Sequence, residues 1–138
     1  MSGLNRPGWP ETWMAMAHTL AKRSYDPRLK VGCIIVANDN KWVIGLGYNG
    51  NARNFPNLPD SLEPGESGFV HAEINAIINA GQSVEGGTVY LTHSPCLACA
   101  KALINAGVQV VWYAEPYRDT KPLEWLEMAG VRAQRLTP

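Results

Sequence analysis

The stretch TVYLTHSPCLACAKALINAGVQVVWY, residues 88–113, decides the fold. Thr88 to Thr92 is short and β-rich, which predicts a strand. Ser94 before Pro95 predicts a helix N-cap with proline at the first helical position, and the helix runs from Pro95 to Ala106. Gly107 supplies the left-handed residue that stops it. Val108 to Tyr113 then predicts another strand. A strand, a helix and a strand in that order form a crossover unit with parallel strands.

The same reading extends outward in both directions. Ala80-Gly81 and Ala129-Gly130 repeat the Ala106-Gly107 ending, so helices are expected from about Val70 to Ala80 and from about Lys121 to Ala129. The shared Ile-Asn-Ala-Gly at 78–81 and 104–107 is too brief for a repeat and reflects common capping. A last strand is expected near Val131 to Leu136. Upstream, Trp13, Met16, Ala17 and Leu20 recur at helical spacing from Glu11, and this helix should end before Asp26-Pro27. Residues 1–10 read as an irregular arm. The apolar run Val31 to Val36 predicts a buried strand, and Asn38, Asp39 and Asn40 turn it into a second strand at Trp42 to Tyr48. From Asn49 to Gly68 no hydrophobic period appears, and a loop that long is more often functional than idle. The order implies an α/β sheet with helices on both faces, a leading antiparallel hairpin and mostly parallel strands after it. Binding sites in such sheets lie where strand C-terminal ends meet helix N-termini.

Composition narrows the class. The chain has 138 residues, 46% of them apolar, with twelve basic and twelve acidic side chains. That length fits a single domain spanning residues 1–138. No 18-residue apolar run could cross a bilayer, and no secretory signal opens the chain, so a cytoplasmic protein is expected. Its three cysteines are then expected to be thiols. Zero net charge argues against a surface for long nucleic acids but leaves room for one nucleotide.

His71-Ala72-Glu73 and Pro95-Cys96-Leu97-Ala98-Cys99 each open a helix. Cys96 and Cys99 share a helix face near the positive end of the dipole, which favours thiolates. Two sulfurs and one imidazole make three metal ligands, and catalytic zinc sites leave the fourth position to water. Glu73, two residues past His71, suits a base beside that water. Alone, His-x-Glu carries little, and Cys-x-x-Cys could be a redox pair or half a structural finger. Their order, one at each of two helix starts, carries the argument. Cys33, mid-strand, reads as a core residue.

This arrangement resembles the zinc-dependent nucleoside and nucleotide deaminases, with their H-x-E then P-C-x-x-C signature. The resemblance implies a three-layer α/β/α cytidine-deaminase-like fold with a mixed five-stranded sheet. It also implies one zinc per chain on His71, Cys96 and Cys99, with Glu73 as proton shuttle. The chain is most similar to the deoxycytidylate (dCMP) deaminase branch. The similarity runs from about Trp13 to the last strand, through Arg23-Ser24-Tyr25-Asp26-Pro27, Val31 to Val36, Gly47-Tyr48-Asn49-Gly50, His71 to Ile77 and Pro95 to Lys101. Bacterial tRNA adenosine deaminases share the metal motifs but typically follow the second Cys with Ala-Gly-Ala, where this chain has Ala100-Lys101-Ala102.

The resemblance implies substrate contacts at Asn49, at the Ser94 carbonyl, at Tyr117 as gate and at Arg118 as phosphate ligand, with Arg53, Asn75 and His93 as further candidates. Ala52-Arg53-Asn54 departs from the branch's usual Pro-Arg-Gly, and the loop lacks the residues that hold a second zinc in some members. Regulation by deoxynucleoside triphosphates stays open. The expected activity is hydrolysis of dCMP to dUMP and ammonia, by a homo-oligomer such as a dimer or hexamer. Alternatives are deamination of guanine, cytidine or a modified nucleotide, tRNA adenosine deamination, and a non-catalytic zinc module.

Overall fold

The computed structural model describes residues 5–137. In chain order the elements are α1 (Trp9–Ala21), β1 (Gly32–Val36), β2 (Val43–Tyr48), α2 (Ala72–Ala80), β3 (Thr88–His93), α3 (Leu97–Ala106), β4 (Val110–Glu115), α4 (Lys121–Met128) and β5 (Arg132–Arg135). The five strands form one sheet in the order β2-β1-β3-β4-β5. β1 pairs antiparallel with both β2 and β3, whereas β3, β4 and β5 run parallel. This is the expected mixed sheet.

The two faces of the sheet bury different helices. Trp13, Met14 and Ala17 of α1 pack on Ile34, Val36 and Tyr90. Cys33, Ile35, Val89, Leu91 and Val111 face the other way, against Ala72 and Ala76 of α2, Ala100 and Leu103 of α3 and Leu126 of α4. Alternation along β1 and β3 thus feeds both layers, which is why β1 is buried at every position and reads as a continuous apolar run. Gly81, Gly107 and Gly130 all have positive φ at the ends of their helices, as the Ala-Gly pattern requires.

Several boundaries differ from the sequence reading, among them β4, which runs over Val110–Glu115 rather than Val108 to Tyr113. Helix α1 starts at Trp9 rather than Glu11, because Pro10 fits the first turn, where its missing N–H costs nothing. Of the expected arm, residues 1–4 lie outside the described residues. Helix α3 starts at Leu97 with Cys96 as its N-cap, not Ser94, and β5 is shorter by a residue at each end.

Helix α2 sits unusually close to β2. A Cβ on Gly47 would lie 2.5 Å from the Ala76 nitrogen and 2.6 Å from the Ala72 oxygen, both backbone atoms that cannot rotate away. Gly47→Ala should therefore push α2 off the sheet and cost about 1–3 kcal/mol. Thermal denaturation reads this directly, and an unchanged midpoint would show that α2 needs no such contact.

Candidate active site

The site forms where Tyr48 and His93 end their strands and α2 and α3 begin. Gly50 and Val70 exchange both backbone hydrogen bonds, at 3.1 and 2.7 Å, and so close the long loop just before His71. His71 is the N-cap of α2 and Glu73 lies in that helix's first turn. Asn75, one turn on, donates its amide to the Tyr48 carbonyl at 2.9 Å and to Val70 at 3.4 Å. It braces the start of α2 and lies outside the cavity.

Across the gap, Cys96 is extended (φ −72°, ψ 171°) and its sulfur accepts the Cys99 N–H at 3.5 Å. The cap of α3 is thus a thiol, with Cys99 at the third helical position. Ser94 is drawn elsewhere: its Oγ accepts the Tyr117 N–H at 2.8 Å. His71 Nδ1 lies 3.2 Å from Cys99 Sγ and 3.5 Å from Cys96 Sγ. All three donor atoms lie within 4.8 Å of one another. Tetrahedral zinc, with bonds of about 2.0 Å to nitrogen and 2.3 Å to sulfur, sets neighbouring donors roughly 3.5–3.8 Å apart. One imidazole and two thiols at this spacing fit a zinc ion, and no fourth side chain joins the group among the described residues.

The electrostatics suit both metal and proton transfer. Hydrogen bonds from the Cys99 thiol and from His71 draw the Cys96 thiol down to about 4. The same contact with Cys96, reinforced by burial, pushes Cys99 up. His71 is raised by its bond to Cys96. Burial pushes the Glu73 carboxyl up to about 7, so near neutral pH it both accepts and releases a proton. Cys33 takes no part: it is wholly buried in β1, and burial raises its thiol well above the ordinary value.

A cavity of about 540 Å³ opens over these groups. Its wall includes Asn49, Ser94, Tyr117 and His93 together with His71, Glu73 and Cys96. Arg118, Arg53 and Asn75 are not among its lining residues. Arg28 is, and among the described residues it is the only Lys or Arg that lines it. Sequence reasoning passed over Arg28, although it directly follows the quoted Asp26-Pro27.

Asn49 explains how Arg28 gets there. Its Oδ1 accepts the Val31 N–H at 2.8 Å, and its amide donates to the Leu29 carbonyl at 2.8 Å and to Asp26 Oδ2 at 3.2 Å. The Asp26 carboxylate in turn accepts the N–H groups of Arg28 and Leu29. Most of the polar capacity of Asn49 thus goes into shaping the 26–31 loop that carries Arg28.

Comparison with known proteins agrees with this geometry. Residues 7–115 match the family model of the cytidine and deoxycytidylate deaminase zinc-binding region. Human deoxycytidylate deaminase is 37% identical over 144 residues, covering 94% of this chain and 80% of that protein. ComE operon protein 2 of Bacillus subtilis is 37% identical over 142 residues, covering 96% of this chain and 74% of that protein. The crystal structure of a cyanophage S-TIM5 dCMP deaminase in complex with dCMP and dUMP superposes with a TM-score of 0.85 at 33% identity, covering 95% and 98% of the two chains.

Replacing Cys99 with Ala removes one sulfur donor and the partner of Cys96, so purified protein should fall far below one zinc per chain by metal analysis. Glu73→Gln should retain a full equivalent. Full retention in Cys99→Ala would remove Cys99 from the ligand set.

Proposed function

The chain belongs to the cytidine and deoxycytidylate deaminase zinc-binding family, and from that premise we propose that it hydrolyses dCMP to dUMP and ammonia. The observation that carries this reading is Glu73, buried beside a three-donor metal site at the floor of a nucleotide-sized cavity whose wall includes the guanidinium-bearing Arg28. A structural metal site needs no such carboxyl. When bound at His71, Cys96 and Cys99, zinc supplies a Lewis acid that makes water nucleophilic at neutral pH.

The chain's own residues do the rest. Glu73 takes a proton onto its carboxylate from the hydrolytic water and delivers it to N3 of the cytosine ring, making C4 electrophilic. It then takes the proton of the hydroxyl now on C4 and passes it to the departing amino group, so the C4 carbonyl forms, the C4–N bond breaks, ammonia leaves and the carboxylate is regenerated. The Ser94 backbone carbonyl, at the end of β3, suits the substrate's amino group. Ser94 is held by its N–H on the Glu115 carbonyl at 2.9 Å and is almost wholly buried. Arg28 is the cation available for the 5′-phosphate, and a guanidinium binds phosphate in two parallel hydrogen bonds.

The protein acts as a cytoplasmic homo-oligomer in this reading. No helix among the described residues is long and apolar enough to cross a membrane. Trp42 and Met128 leave 67% and 78% of their surfaces exposed, apolar area that another subunit would cover. Light scattering on the purified chain tests this, and a monomer at working concentration would reject it.

A panel of dCMP, CMP, deoxycytidine, cytidine and guanine assayed for ammonia should show dCMP preferred. Glu73→Gln should lower kcat roughly 10²- to 10⁴-fold. Arg28→Ala should raise KM for dCMP roughly ten- to a hundredfold and leave deoxycytidine little changed. If Arg118→Ala produced that pattern and Arg28→Ala did not, the phosphate contact would belong to Arg118.

A further inference from the structure

The end of β3 carries a hydrogen-bonded relay that the reaction above does not use. Thr92 is completely buried, and its Oγ1 accepts the Gly32 N–H at 3.1 Å. The same oxygen lies 2.9 Å from Nδ1 of His93. A buried hydroxyl needs an acceptor for its single proton. Nδ1 is the acceptor that Thr92 reaches among the described residues, so the O–H points to it and Nδ1 carries no hydrogen. A neutral imidazole with a bare Nδ1 has its hydrogen on Nε2.

His93 is held neutral in this place. Burial lowers its pKa, Glu115 opposes that and His18 adds to it. The ring stacks against Tyr117 with centroids 6.1 Å apart at 28°, and both residues line the cavity. Behind them, Ser94 anchors the Tyr117 backbone, so the pair forms a wall fixed at two points. Nε2, on the far side of the ring from Thr92, makes no hydrogen bond among the described residues and is left for a ligand.

We propose that Thr92 is a positioning residue that locks His93 in the Nε2–H tautomer, so that the His93–Tyr117 wall offers one hydrogen-bond donor to an oxygen acceptor of the bound nucleotide. The choice of ligand rests on the nucleotide reading above, and the tautomer does not.

The chain has three histidines, so long-range proton–nitrogen NMR spectra resolve each ring, with His93→Gln assigning the signal. The wild-type ring should show the Nε2–H pattern. Thr92→Val should shift it toward Nδ1–H and raise KM for dCMP roughly five- to tenfold, with kcat within about twofold. Thr92→Ser, which keeps the hydroxyl for both Gly32 and His93, should restore tautomer and KM together. A KM change shared by deoxycytidine places the acceptor on the nucleoside, and one confined to dCMP places it on the phosphate.

An Nδ1–H pattern in the wild-type enzyme overturns the relay, and this holds even where Thr92→Val does not fold. A shifted tautomer with unchanged KM overturns the substrate contact. A wild-type enzyme with the Nε2–H pattern but no activity on dCMP overturns the nucleotide reading and upholds the relay.

Discussion

Helix α2 reaches the sheet only because Gly45 and Gly47 present no side chain to it. A Cβ on either residue would lie 2.5 Å from the backbone of Ala76, and Ala72 and Ala76 are themselves the smallest residues that a helix readily takes. This close seating sets the height of the α2 N-terminus above the sheet, and with it His71 and Glu73. Helix α3 arrives from the parallel β3–β4 crossover, with Ala100 and Leu103 in the same apolar layer. The metal donors are therefore brought together by packing. The Cys96 sulfur both caps α3 and faces His71, so one atom serves helix and site.

A buried polar hub sustains the opposite wall. Ser24, Asp26 and Asn49 are buried, and unpaired they would each cost about 1–3 kcal/mol. They satisfy one another and the loop backbone instead. Ser24 donates to the Asn49 carbonyl, Asn49 bridges Asp26 to Leu29 and Val31, and Asp26 gathers the N–H groups of its own turn. A network satisfied at so many points holds one conformation. Its product is a loop that turns Arg28 to the cavity.

The floor and the wall make different use of burial. At the floor, burial raises Glu73 toward neutrality while the hydrogen-bonded thiols split, Cys96 down and Cys99 up. At the wall, burial keeps His93 neutral beside Tyr117. A carboxyl able to trade protons thus sits next to a metal-binding group, beside a neutral His93–Tyr117 face. That arrangement favours ring chemistry on a polar, weakly basic heterocycle.

What could be read from the chain was local chemistry. The strand–helix–strand order, the Ala-Gly helix endings and the buried strand at Val31 to Val36 depend on neighbours a few residues apart, and the sheet realises them all. The identity of the donor atoms was legible for the same reason, since His71 and Cys96–Cys99 each mark a helix start. Even locally, two competitions were hidden: Ser94 looks like a cap until the Tyr117 N–H, 23 residues on, claims its oxygen, and Pro10 extends α1 back to Trp9. Only the tertiary structure decided which polar residues line the cavity. Asn49 and Asn75 spend their amides on backbone far away in sequence, and Arg28 lines the cavity because of where the Asp26 turn is anchored. Side chains in loops follow no period, and their directions are set by hydrogen bonds that exist only once distant segments have packed.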